Sequence, residues 1–304
     1  MDHGREDKPR EPSPGRLEGM SEERRRLFEA LRRKRAQEAA GSPPKEEAKP
    51  RTAVVVAMKP TGARPPFFCI HAITGSAFPY HKLALHLPAE QPLYGVQSRG
   101  LDGKEEPLRR VEEMAAAYVE AVRTVQPHGP YHLGGYSFGG WVAYEMAQRL
   151  LAEGEPIGVL AMFGTGAPPT TLNPSFFGSA DAALKELEEQ RRTPGAEASA
   201  PPAQAQVPPA PEAGLSPLQR VLAVNALAMW RYVARPYEGG LDVFLTPEQQ
   251  LVSPSDLSMG WRPFCAEVST YLVDGNHLNM FEEPHVRSLA AALTGCLERK
   301  SVHG

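Results

Sequence analysis

The stretch that decides the reading of this chain is 131-YHLGGYSFGGWVAYEMAQRLL-151. Residues 131–135 suit a short buried strand. From Trp141 on, Trp141, Tyr144, Met146 and Leu150 recur as a mostly apolar helical face, and nothing breaks it before Gly154. Ser137 falls between the two, in Gly135-Tyr136-Ser137-Phe138-Gly139, with Gly134 and Gly140 doubling the glycines on each side. G-x-S-x-G between a strand and a helix is the pattern of a nucleophile elbow. The turn is strained, the backbone passes close to its neighbours, and residues without a Cβ permit both. Ser137 is therefore the candidate nucleophile.

A serine needs a base to take its proton. In folds with this elbow the order along the chain is serine, acid, histidine. Near the C-terminus, 268-VSTYLVDGNHLNMFEEPHV-286 offers an apolar strand, a turn, His277 and then a helix starting near Pro284. A histidine on the loop after the last strand is placed to serve as base. His285 is the rival, but it falls in the first helical turn.

Around these residues the chain alternates strand and helix. Strands are expected at 53-AVVVAM-58, 66-PFFCIHA-72, 93-LYGVQ-97, 131-YHLGG-135, 157-IGVLAMFGT-165, 241-LDVFLT-246 and 268-VSTYLV-273. In 109–126, Val111, Met114, Tyr118, Val122 and Val125 recur at helical spacing. The alternation argues for an α/β architecture: a mainly parallel sheet with helices on both faces.

Two regions depart from it. Residues 1–51 are dense in Arg, Lys, Glu and Pro and are expected to form a charged, largely disordered extension. Within it, residues 21–40 make a strong helix former with a narrow stripe of Leu27, Phe28 and Leu31, a candidate docking helix. Residues 193–214 are rich in Pro and Ala and are expected to be disordered, inside a lid insertion spanning about 168–230. The folded domain is expected to run from 52 to 304.

The 304 residues carry a net charge of −3, which gives no pointer to nucleic acid. No apolar run reaches the length of a membrane span, and the charged N-terminus does not read as a secretory signal. Cys69, Cys265 and Cys296 are too few and too scattered for a disulfide framework or a metal site, so a reducing cytoplasmic setting and no metal are expected.

From about Ala53 to Leu297 the chain resembles the α/β-hydrolase thioesterases of polyketide and nonribosomal peptide synthetases. RPPFFCIHAITGSAFPYHKLALHL resembles that family's strand, oxyanion loop and following helix. PLYGVQSRGLDG resembles its next strand and turn. VNALAMWRYVARPYEGGLDVFL resembles the run from lid to late strand, and GNHLNMFEEPHVRSLAAAL the histidine loop and last helix. The resemblance implies an α/β-hydrolase fold with a lid insertion. It also implies a serine acyl-enzyme formed from an acyl, polyketide or peptidyl thioester, with release by hydrolysis or cyclisation. The partner would be an acyl or peptidyl carrier protein, or an upstream synthetase module, presenting the chain on a phosphopantetheine arm; no cofactor of the domain's own is implied. Ser137 matches the nucleophile and His277 the base. The backbone N–H groups of Ile73 and Phe138 match the oxyanion donors, and His71 is expected to orient the loop that carries Ile73.

One position breaks the pattern. The family usually places an aspartate just after the strand that follows the elbow helix, and Gly164 stands there, in VLAMFGTGAPP. Hydrolases of this fold, stand-alone editing thioesterases among them, can carry the acid after the next strand instead. By that correspondence Glu248, in LDVFLTPEQQ, is the expected acid, with Asp256 the second candidate; Asp242 falls within the strand and too early.

Overall fold

The structure, a computed structural model, describes residues 54–168, 215–252 and 254–301. The docking helix expected within 1–51 and the Pro/Ala-rich stretch 193–214 lie outside the described residues.

All seven expected strands form: β1 Val55–Lys59, β2 Phe67–Ile70, β3 Leu93–Val96, β4 Tyr131–Tyr136, β5 Ile157–Phe163, β6 Tyr237–Leu245 and β7 Cys265–Leu272. They make one sheet in the order β1-β3-β2-β4-β5-β6-β7. Only the edge strand β1 runs antiparallel to its neighbour, β3; the other pairings are parallel. β4, which leads into Ser137, is central. Its Gly135 pairs with Ile70 of β2 on one side and Met162 of β5 on the other.

The apolar runs of the central strands feed two cores, because successive side chains point to opposite faces of a sheet. Phe68, Ile70, Leu133, Leu160, Met162 and Val243 join the core on one face. Phe67, Cys69, Val159, Ala161, Phe163 and Phe244 join the other. The first face is covered by α2 (Val111–Arg123) and α3 (Phe138–Ala152), which pack on each other. The second is covered by α1 (Tyr80–His86) and α6 (Val286–Ser301). Helix α2 follows its periodicity: Val111, Met114, Tyr118 and Val122 are buried, Glu112 and Glu113 stand in the first turn and Arg123 in the last, as the helix dipole favours.

Two helices were not specified by the strand pattern. α4 (Pro217–Arg231) lies within the segment expected as lid. It starts at a capping box in which the Ser216 hydroxyl accepts from Gln219 N and the Gln219 side chain accepts from Ser216 N, with Pro217 in the first turn. α5 (Pro247–Val252) is a short helix entered directly from β6.

Candidate active site

The elbow is built as the motif requires. Ser137 has φ +53° and ψ −122°, a strained conformation for a residue with a side chain. Its backbone N–H donates to Phe163 O on β5 at 3.1 Å. α3 starts at the next residue, and the Ser137 hydroxyl makes no capping bond to that helix. The hydroxyl therefore stands at the positive end of the helix dipole without being used to cap it. The flanking glycines are required by close approach. A Cβ on Gly135 would lie 2.1 Å from the backbone C and O of Gly139. One on Gly139 would lie 2.4 Å from the carbonyl oxygens of both Ile70 and His71. These are backbone atoms, which cannot swing aside as a flexible side chain would.

The loop after β2 carries Ile73 and is tied from three directions. His71 N donates to Val96 O at 2.9 Å, Gly75 N to Ala72 O at 2.9 Å, and Asn225 Nδ2 on α4 to Ile73 O at 2.9 Å. The buried His71 ring bonds Ala72 O through Nδ1 and the Tyr118 hydroxyl through Nε2, each at 2.7 Å. A carbonyl can only accept, so Nδ1 carries the proton and Nε2 accepts from Tyr118. Burial lowers the His71 pKa to about 4, the Ala72 bond opposing, so the ring is neutral at ordinary pH. His71 thus orients the loop, as the sequence suggested. Asn225 was not singled out from sequence; an asparagine inside an apolar helical face was the available signal. At the other end of the site, Phe138 N is the first helical N–H and so has no intrahelical partner by geometry.

His277 stands beside the elbow. Its ring lies 5.0 Å, centroid to centroid, from that of Tyr136, the residue before Ser137, and the Tyr136 hydroxyl donates to the His277 carbonyl. The side chain of Asn276 accepts from the N–H groups of Leu278 and Asn279 at 2.9 and 3.1 Å, which shapes the turn. Burial pulls the His277 pKa below its ordinary value, partly opposed by the charge of Glu248. His285 is turned elsewhere, packing against Gly275 just before α6.

At the usual place of the acid stands Gly164, and the side chains of His277 and Gln249 close over it. A Cβ on Gly164 would lie 2.8 Å from His277 Nδ1 and 3.1 Å from Gln249 Nε2. Gly164 is at φ +58°. Its loop is clamped: Gly164 N donates to Phe244 O at 2.8 Å, the Thr165 hydroxyl to Ser137 O at 2.9 Å, and the indoles of Trp141 and Trp261 to Gly166 O and Thr165 O at 2.7 and 2.8 Å.

Neither carboxylate expected as the acid hydrogen-bonds His277 among the described contacts. Glu248 is on the exposed side of the first turn of α5, and what it contributes to His277 is charge at a distance, with no hydrogen bond between them among the described contacts. The next residue turns inward instead. Gln249 Nε2 donates to Gly164 O at 3.0 Å and lies 3.3 Å from His277 Nδ1, while its Oε1 accepts from Thr246 N at 3.1 Å and Thr246 Oγ1 at 3.3 Å. Helical geometry sends successive side chains about 100° apart, so one step along α5 exchanges a carboxylate for an amide. Asp256 is taken up by its own turn: it accepts from Ser258 N, Ser258 Oγ and Gly260 N and pairs with Arg262. Asp242 is buried in β6, where the Tyr271 hydroxyl donates to it at 3.1 Å. Nothing in the local pattern marks Gln249, because an amide beside a carboxylate on a short helix carries no signal of its own.

The orientation of the Gln249 amide is fixed by backbone groups. Turned over, it would set N–H against the Thr246 N–H and its oxygen against Gly164 O. Leaving such groups unpaired costs about 1–3 kcal/mol each. Among the described residues no cluster of three or more His, Cys, Asp or Glu could hold a metal, and no helix is long and apolar enough to cross a membrane.

A parallel sheet with helices on both faces, a serine on a strained strand-to-helix turn and a histidine beside it define an α/β-hydrolase. Residues 65–295 match the thioesterase domain family model, and the chain belongs to that family, as a thioesterase-type hydrolase domain. Among solved structures it is similar to the NocB thioesterase domain from the nocardicin cluster, at 27% identity over 83% of this chain and all of that one, with a TM-score of 0.60. Among curated proteins it is similar to malpibaldin synthetase of Mortierella alpina, 51% identical over 38% of this chain but 2% of that protein. It is also similar to nonribosomal peptide synthetase btyA of Aspergillus terreus, 28% identical over 82% of this chain and 30% of that one. The chain thus spans a small part of the length of these curated relatives.

Proposed function

We propose that this domain releases acyl or peptidyl chains from a carrier protein of a nonribosomal peptide or polyketide assembly line. The chain arrives as a thioester on a phosphopantetheine arm. Ser137 Oγ attacks the thioester carbonyl, His277 takes the serine proton, and the backbone N–H groups of Ile73 and Phe138 hold the oxyanion. The sulfur leaves with the electron pair of the broken C–S bond. The acyl-serine then passes to water or to a nucleophile within the chain. The observation that carries this reading is the strained Ser137 at the head of α3, its hydroxyl not spent on capping, with the ring of His277 packed on the preceding residue. The synthetase names of the relatives support the substrate class, and the cytoplasm is the setting such partners imply.

The test is a rapid-quench assay with an acyl-pantetheine thioester, with mass spectrometry of the protein. A covalent acyl group on Ser137 is expected, absent in Ser137→Ala, with turnover lower by several orders of magnitude in that variant. Turnover of Ser137→Ala above a tenth of the parent's would refute the assignment. His277→Ala should be about as damaging as Ser137→Ala, and His285→Ala mild; the reverse order would give the base role to His285. Comparing thioesters with oxygen esters and with small-alcohol acceptors separates this reading from an ester hydrolase or acyltransferase.

One observation favours a second reading, a catalytically impaired domain that binds acyl chains or carriers: no carboxylate reaches His277 Nδ1 among the described residues. Retention of a carrier-bound chain with no acyl-serine formed would establish it.

A further inference from the structure

We propose that Gln249 is the positioning residue for His277, and that it holds the resting imidazole with its proton on Nε2 and its lone pair on Nδ1. This rests on the acyl-transfer reading above. Three contacts carry it. Gly164 O can only accept, so the Gln249 atom 3.0 Å from it is the NH2 nitrogen. Thr246 N can only donate, so the atom 3.1 Å from it is the oxygen. The nitrogen end is then the one 3.3 Å from His277 Nδ1, and a neutral imidazole facing an N–H there presents its lone pair.

The consequence falls on the other ring nitrogen. Nε2 is the nitrogen left for Ser137, and with a proton already on it the resting ring can donate to the serine but cannot take its proton. A carboxylate at Nδ1 would do the reverse: it would accept from Nδ1–H and leave the Nε2 lone pair free. Replacing such a carboxylate by an amide in a serine triad costs about ten thousandfold through this change of tautomer. The site is therefore set for slow turnover, limited by the supply of the productive tautomer. The other groups acting on the ring do not reverse the preference. Tyr136 from β4 bonds the His277 carbonyl and not the ring nitrogens, and Glu248 acts from α5 through charge alone.

The experiment reads the tautomer directly. Long-range proton–nitrogen NMR correlation on the full chain, labelled with 15N at histidine and assigned with His277→Gln, is recorded at a pH where the ring is neutral. The expected pattern for His277 is an unprotonated Nδ1 and a protonated Nε2. A protonated Nδ1 overturns the proposal whatever the activity. In Gln249→Glu the proton should move to Nδ1, the imidazole should titrate about one unit or more higher, and the acylation rate with an acyl-pantetheine should rise about a hundredfold or more. An unmoved tautomer in a folded Gln249→Glu also overturns it. Should that variant not fold, the spectrum of the parent still decides. A parent with the expected tautomer but no acyl-serine would overturn the acyl-transfer reading and leave the role of Gln249 standing.

Discussion

Mild acid should destabilise this domain through two buried histidines. His71 and His132 are 0% and 5% exposed. Burial lowers each ring to a pKa of about 4, from 6.5 for the free side chain. Well above 6.5 both rings are neutral in the folded and the unfolded chain, and the full stability is present. As pH falls through 6.5 the unfolded chain binds protons that the folded one refuses. Stability drains away until about pH 4, where the folded rings protonate as well. At about pH 5 the difference in proton uptake amounts to about 2 kcal/mol for each ring, about 4 kcal/mol for the pair. That is a large share of the roughly 5–15 kcal/mol that typically holds a domain together. Urea denaturation of the parent and of His132→Leu at about pH 7 and about pH 5 isolates one ring from the carboxylates, which titrate in both proteins. The loss of stability between the two pH values should be smaller by about 2 kcal/mol in His132→Leu. An equal loss in the two proteins would refute the argument. Function is touched only at the acid end of that window: near pH 4 and below, protonating the folded His71 takes away the Nε2 lone pair that Tyr118 donates to, and with it one of the ties on the loop that carries Ile73.

Three further outcomes are expected. Gly135→Ala should fail to reach a native state or lose well over 3 kcal/mol, beyond ordinary overpacking, because its Cβ meets backbone at 2.1 Å; a thermal melt near the parent's would contradict the close approach. Glu248→Gln should keep neutral-pH turnover within a few-fold and move the acidic limb of the kcat/KM profile to lower pH, since the lost charge was raising the His277 pKa; a thousandfold fall would return Glu248 to the acid's role. Asn225→Leu should leave the half-buried Ile73 carbonyl without this bond, costing about 1 kcal/mol, and should slow acylation about tenfold or more, read by single-turnover kinetics. Unchanged acylation would remove α4 from the support of the oxyanion loop.

What the sequence determined on its own was what local pattern can encode. Uninterrupted apolar runs such as Phe67–Ile70 and Ile157–Phe163 read as strands buried on both faces, and the structure puts them in the middle of a parallel sheet. The elbow was legible because its chemistry and its steric demands fall within a few consecutive residues: a serine that must be strained, and glycines that must admit backbone on either side. His277 was legible from its place after the last strand. The capping box of α4 was also written locally, in Ser216, Pro217 and Gln219, though without the fold nothing assigned that helix a role. What only the tertiary structure decided was the partner of His277. That choice depends on contacts between residues far apart in the chain, Gln249 with Gly164 and Gln249 with His277, and on the rotation of one short helix as it leaves β6. Adjacent residues on a helix point about 100° apart, so the sequence shows Glu248 and Gln249 side by side, and the docking of α5 against the clamped Gly164 loop turns the amide, and not the carboxylate, toward the imidazole.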